Sequence, residues 1–214
     1  MYTTVVFILE IIGTVAFAVS GAAVGIKKGM DIFGVSMLGL CTAVGGGVLR
    51  DLVLGNTPPL TFQDPVYALT AIAVSIVTFL PAMQRAMERH PLLSEKLLGV
   101  MDAVGLGVFT AVGVQCAYAR SEDYSVFLLV FVGVITGVGG GVLRDVLAGN
   151  MPYVFVKHFY ACASVIGALI SALLWHLLGA EAAMLLGAAV VVVLRLCAAH
   201  WRWSLPKARV QREE

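Results

Sequence analysis

The chain has 214 residues, of which 60% are apolar or aromatic, only 13% are charged, and a further 23 are Gly. Soluble domains average roughly 45–50% apolar residues with Gly included and about 25% charged, and a compact fold of this size still exposes much of its surface. The composition therefore argues against a soluble enzyme and a disordered chain, and a net charge of +1 leaves no field to recruit a nucleic acid. The bilayer is the expected solvent. The four cysteines, Cys41, Cys116, Cys162 and Cys197, stand alone in apolar runs with no spacing for zinc or a disulfide framework.

Seven stretches reach the ~20 apolar residues that a transmembrane helix needs, at about 5–26, 31–54, 65–83, 97–118, 125–148, 159–178 and 182–200. Together they take up about 70% of the chain. The expected fold is all-α, a polytopic membrane protein of seven transmembrane helices forming a single membrane domain over 1–214. The first stretch has no basic residue before it and carries Glu10, unlike a cleaved signal, so it is expected to remain as a mature helix. The longest connection, 84–96, contains Arg85, Glu88, Arg89, His90, Pro91, Glu95 and Lys96 and reads as a polar hairpin.

Lys and Arg give the orientation. The side holding connections 27–30, 84–96, 149–158 and the C-terminus carries Lys27, Lys28, Arg85, Arg89, Lys96, Lys157, Arg195, Arg202, Lys207, Arg209 and Arg212. The other side carries Arg120. The positive-inside rule places the C-terminus in the cytoplasm and the N-terminus outside. Trp201 and Trp203 follow the last span, where an interfacial aromatic anchor belongs.

The chain is written twice. Residues 45–58 read GGGVLRDLVLGNTP and residues 139–152 read GGGVLRDVLAGNMP, identical at ten of fourteen positions at an offset of 94. Upstream, Glu10, Gly13, Phe17 and Gly21 match Asp102, Gly105, Phe109 and Gly113 at an offset of 92. Downstream, Phe62, Tyr67 and Ala68 match Phe155, Tyr160 and Ala161 at an offset of 93. Repeat one covers about 5–83, repeat two about 97–178, and the helix at 182–200 is extra. Three spans per repeat is an odd number, so the second copy must lie inverted in the membrane. Many channels and transporters have this architecture, with the pathway at the repeat interface.

The repeated residues are not those of a packing-only bundle. Gly45, Gly46, Gly47 and Gly139, Gly140, Gly141 sit inside spans two and five, and each Gly costs about 1 kcal/mol against Ala in a helix. Two readings stand: close helix packing, or a kinked or unwound turn along a wet pathway. The second would free the carbonyls of Thr42, Ala43, Val44, Thr136, Gly137 and Val138 as hard oxygen ligands for a cation. The spacing is not that of a nucleotide loop.

Arg50-Asp51 and Arg144-Asp145 follow the glycines, toward the outer and inner ends respectively. Helix neighbours diverge by about 100°, so the members of one pair are expected to face other partners, such as a carboxylate on an adjoining helix. They read either as charged gates or locks flanking a pathway, or as Arg reaching for the interface with Asp capping the next turn. Glu10 and Asp102 each lie about six residues into a span, one near each mouth. Intramembrane carboxylates are functional candidates, here to attract cations or to pair with Arg50 and Arg144. His90, His158, His176 and His200 are scattered, and no catalytic constellation is present, so enzyme activity and a cofactor are not expected.

On the two GGG-x-x-Arg-Asp motifs and the seven spans, the chain resembles the bacterial homologues of the trimeric intracellular cation channels. That group overlaps the duplicated bacterial membrane proteins with glycine-transporter domains. The resemblance covers nearly the whole chain. It implies a homotrimer in the bacterial inner membrane, with a separate hydrophilic pore in each subunit. Spans two and five, kinked at Gly45–Gly47 and Gly139–Gly141, would line that pore, and K⁺ and Na⁺ would permeate. The alternative is a secondary transporter of glycine or a similar small solute, whose carboxylate a half-helix N-terminus at a glycine break would hold.

Overall fold

A computed structural model describes residues 4–120, 125–156 and 159–203. All regular structure among them is helical: α1 (Thr4–Lys27), α2 (Ile32–Val53), α3 (Leu60–Gln63), α4 (Val66–Phe79), α5 (Pro81–Arg89), α6 (Pro91–Arg120), α7 (Val126–Leu147), α8 (Tyr153–Val156), α9 (Tyr160–Leu178) and α10 (Ala180–His200). Six of the described helices are long and apolar enough to cross a membrane, and the bent pair α4–α5 brings the number to seven if it is counted as one span.

The third span departs from expectation. Pro81 supplies no N–H, and it holds Leu80 in extended backbone at φ −57°, ψ 142°. The helix therefore ends at Phe79 and resumes at an angle of 62°. Its first arm, 14 residues, rises about 21 Å at 1.5 Å per residue. The polar stretch 84–96, expected as a polar hairpin between spans, is helical on both sides of His90. It is the charged half of α5 followed by the first turns of α6, which begins at Pro91, six residues earlier than its apolar stretch. Lys157, Lys207, Arg209, Arg212 and His158 lie outside the described residues.

α2 and α7 start and stop by the same local chemistry. Asp31 Oδ1 accepts from the Gly34 N–H at 2.7 Å, and Ser125 Oγ accepts from the Leu128 N–H at 3.1 Å. At the other end Gly55 and Gly149 take left-handed backbone at φ 71° and 66°. Asn56 and Asn150 N–H reach back to the Asp51 and Asp145 carbonyls at 2.7 and 2.8 Å. These are Schellman stops, and the repeated Gly-Asn is their sequence form. Gly149→Ala is expected to cost ~1 kcal/mol through the left-handed φ alone, read as a lower unfolding midpoint with unchanged helix content.

α1 packs on α2 and α4, and α6 packs on α7 and α9 in the same way. The two groups meet through α1 against α6 and α2 against α7, while α10 lies on α6 and α9. The contacts at the seam are reciprocal, as a two-fold relation requires. Phe17 and Phe109 meet with ring centroids 5.3 Å apart. A Cβ on Gly46 would strike the Thr136 carbonyl, and one on Gly140 would strike the Thr42 carbonyl.

The helix is unbroken through both glycine triplets. This corrects the unwound-turn reading. The Thr42 and Thr136 carbonyls face the glycine of the opposite helix, Gly137 packs on α6, and no unwound turn frees the carbonyls of Ala43, Val44 or Val138. Glycine is used here for close backbone approach, the cheaper solution in lipid because every helical hydrogen bond is kept. Hydroxyls follow the same rule: Thr42 donates to the Leu38 carbonyl and Thr136 to the Val132 carbonyl, each at 2.6 Å.

Candidate functional site

Each repeat builds one buried ionic cluster at the C-terminal end of its glycine helix. In repeat one, Arg50 Nε donates to Asp51 Oδ1 at 2.8 Å, and Nη1 lies 3.7 Å from Glu10 Oε1 on α1. Tyr67 of α4 donates to Glu10 Oε2 at 2.6 Å. Asp51 Oδ2 accepts the Leu60 N–H at 2.9 Å and so ties the start of α3 to the end of α2. In repeat two, Arg144 Nε donates to Asp145 Oδ1 at 2.9 Å, and Nη1 donates to Asp102 Oδ1 at 2.6 Å. Asp145 Oδ2 accepts the Tyr153 N–H at 2.9 Å. Glu10, Arg50, Asp51, Asp102, Arg144 and Asp145 are all buried, at most 5% exposed.

Two sequence expectations meet different outcomes here. Adjacent Arg and Asp do bond, against the angular argument, because the flexible arginine stem bends its Nε back to the next residue's carboxylate. The cross-helix partners expected for Arg50 and Arg144 are also present: they are Glu10 and Asp102. Each aspartate therefore does two jobs, holding its arginine and capping the following short helix. Each arginine faces two carboxylates, and formal charge per cluster is −1. That balance offsets the cost of burying a guanidinium in the membrane.

The clusters are not identical. Beside Glu10 and Arg50 lies a cavity of about 30 Å³, also lined by Thr14, Gly47, Thr61 and Tyr67, roomy enough for a water molecule. The second cluster is closed by additional side chains. Ser20 of α1 accepts from Arg144 Nη1 at 2.6 Å. The Tyr153 ring covers the Arg144 guanidinium at 4.9 Å from its centroid. The Tyr160 hydroxyl sits against Gly141, and Arg195 of α10 lies over the Tyr160 ring at 4.6 Å. Asp102 Oδ2, Arg144 Nη2 and Tyr160 Oη are buried there without a hydrogen-bond partner.

Sequence reasoning missed Ser20, Tyr153 and Arg195. Tyr67 and Tyr160 carried a signal, since they recur at an offset of 93. Arg195, one of the basic residues on which the expected orientation rests, is only 8% exposed and lies over the Tyr160 ring of the second cluster. Among the described residues no three His, Cys, Asp or Glu side chains converge as metal ligands.

Comparison with known proteins agrees with this architecture. The Glycine transporter family profile matches residues 7–82 and 99–176, one match per repeat. The UPF0126 inner membrane protein YadS of Escherichia coli is 39% identical over 203 residues, 94% of this chain and 95% of YadS. A TRIC cation channel solved to explain conductance superposes with a TM-score of 0.82 at 39% identity, over 95% of this chain and 97% of that one. The TRIC trimeric intracellular cation channel orthologue from Rhodobacter sphaeroides gives 0.84 at 33% identity, over 94% and 100%. With the six or seven apolar helices, these likenesses identify a multi-pass membrane protein. The chain belongs to the duplicated Glycine transporter family of bacterial membrane proteins, a relative of the bacterial TRIC channels.

Proposed function

We propose that the chain is a homotrimeric cation channel of the bacterial inner membrane, conducting K⁺ and Na⁺ through one hydrophilic pore per subunit. The pore is lined by α2 and α7 and flanked by the Arg50 and Arg144 clusters, with the N-terminus outside and the C-terminus cytoplasmic. The bilayer and two further copies of the chain are its partners, and it needs no cofactor.

The observation that carries this reading is the pair of matched ionic clusters, one at the C-terminal end of each glycine helix. Arginines in a cation path would repel the permeant ion if they stood alone. Here each faces two carboxylates, so neither guanidinium stands as an uncompensated positive charge against a permeant cation. The likeness to TRIC cation channels at 39% and 33% identity points the same way.

The test is reconstitution into liposomes and planar bilayers. Unitary K⁺ currents are expected, without saturable uptake of radiolabelled glycine. Saturable glycine uptake without unitary currents would overturn the channel and support a carrier with alternating access.

A further inference from the structure

We propose that Arg195, on the helix outside the repeats, is a positioning residue that makes the second cluster the barrier to cation flow, leaving the first as the cation-accepting mouth. The inference rests on the channel reading above.

It comes from comparing the clusters position by position. The repeat offsets pair Tyr67 with Tyr160, Leu60 with Tyr153, and Val112 with Ser20. Leu60 and Tyr153 occupy the same place, since each gives its N–H to the second oxygen of the motif aspartate. In the first cluster the aromatic and hydroxyl partners of the arginine are thus replaced by Leu60 and Val112. The Arg50–Glu10 separation is 3.7 Å, and a cavity opens beside it. In the second cluster Arg144 contacts Asp102 at 2.6 Å and Ser20 at 2.6 Å, with Tyr153 over its face.

Arg195 then completes an alternating stack. Its guanidinium covers the Tyr160 ring, Tyr160 meets Tyr153 edge-on with centroids 6.5 Å apart, and Tyr153 covers Arg144. Cation–aromatic contacts of this kind hold geometry when desolvated. Arg195 also changes the charge. Glu10, Arg50 and Asp51 sum formally to −1, whereas Asp102, Arg144, Asp145 and Arg195 sum to zero. A permeant cation is therefore drawn to the first cluster and finds no net attraction at the second. The groups that face Tyr160 are Asp102 on α6, Arg144 and Asp145 on α7, Tyr153 on α8 and Arg195 on α10.

The test puts a titratable charge at this place in the full-length protein. Arg195→His is reconstituted, and K⁺ conductance is compared at about pH 5.5 and about pH 8.5, where His changes charge. Conductance should rise roughly threefold or more at the higher pH and reverse on return, while wild-type channels stay flat over the same range. Arg195→Gln should match the high-pH level, and Arg195→Lys should restore the wild-type level. A purely structural role for Arg195 moves none of these reversibly. If Arg195→His conducts equally at both pH values and Arg195→Gln equals wild type, the inference is overturned while the channel reading survives. Absence of K⁺ current in wild-type protein overturns the channel reading instead. Should Arg195→His fail to give monodisperse protein, Arg195→Gln against Arg195→Lys decides on the same readout.

Discussion

Gly46→Ala and Gly140→Ala should each destabilise the protein by about 1–3 kcal/mol, and the double variant should fail to assemble α2 against α7. A methyl group at either position runs into a backbone carbonyl of the opposite helix, Thr136 or Thr42. Backbone within a helix does not rotate aside, so the two helices must separate. Separation also pulls apart the packing of Phe17, which touches Gly140 and Gly105. The neighbouring glycines of the same triplets should behave differently. A Cβ at Gly47 meets only Arg50 Nη2, at 3.8 Å, and one at Gly45 meets the tip of the Leu143 side chain. Gly47→Ala should be neutral or stabilising, because Ala gains about 1 kcal/mol over Gly in a helix. The measurement is the unfolding midpoint of each single variant in mixed detergent micelles. Equal losses at Gly45, Gly46 and Gly47 would show that the triplet serves as a flexible break rather than as one point of backbone contact.

That contrast also shows how much was legible beforehand. The membrane class, the helices and the duplication follow from apolar runs and from the chain's likeness to itself, which local composition records directly. The pairing of Arg50 with Glu10 and Arg144 with Asp102 was open to inference because all four recur in both repeats. The role of the glycines was not. A Gly triplet lowers the cost of a break and of a close approach alike, and only the position of the opposite helix decides which is used. Arg195 was illegible for another reason. It lies on α10, which has no counterpart in the repeat, so self-comparison is silent about it. On charge alone it is indistinguishable from the other basic residues on which the expected orientation rests. The bend at Pro81 was legible in principle, since Leu80 precedes a proline, but a continuous apolar window hides it.

The second large effect is expected at Arg144 and Asp102. Replacing either alone, as Arg144→Met or Asp102→Ala, leaves the remaining charge buried at no more than 3% exposure, which should cost about 3–5 kcal/mol. Arg144→Met also strips Asp145 Oδ1 and Ser20 of their donor, and Asp102→Ala removes the short 2.6 Å contact. The double variant should cost well under the sum, giving a coupling energy of about 2 kcal/mol in a double-mutant cycle. The same cycle on Arg50 and Glu10 should give a smaller coupling energy. Those groups are 3.7 Å apart, Tyr67 already satisfies Glu10 Oε2, and the adjoining cavity admits water to the charge left behind. The two clusters are near copies in sequence, so equal coupling energies would mean that the repeat alone sets their strength. Unequal energies in the expected order would instead trace the difference to Ser20, Tyr153 and the helix outside the repeat. Under the proposed channel reading, a tightly coupled pair would not lend its carboxylate to a passing cation, whereas Glu10, held by Arg50 at 3.7 Å, would exchange that contact for an ion at lower cost.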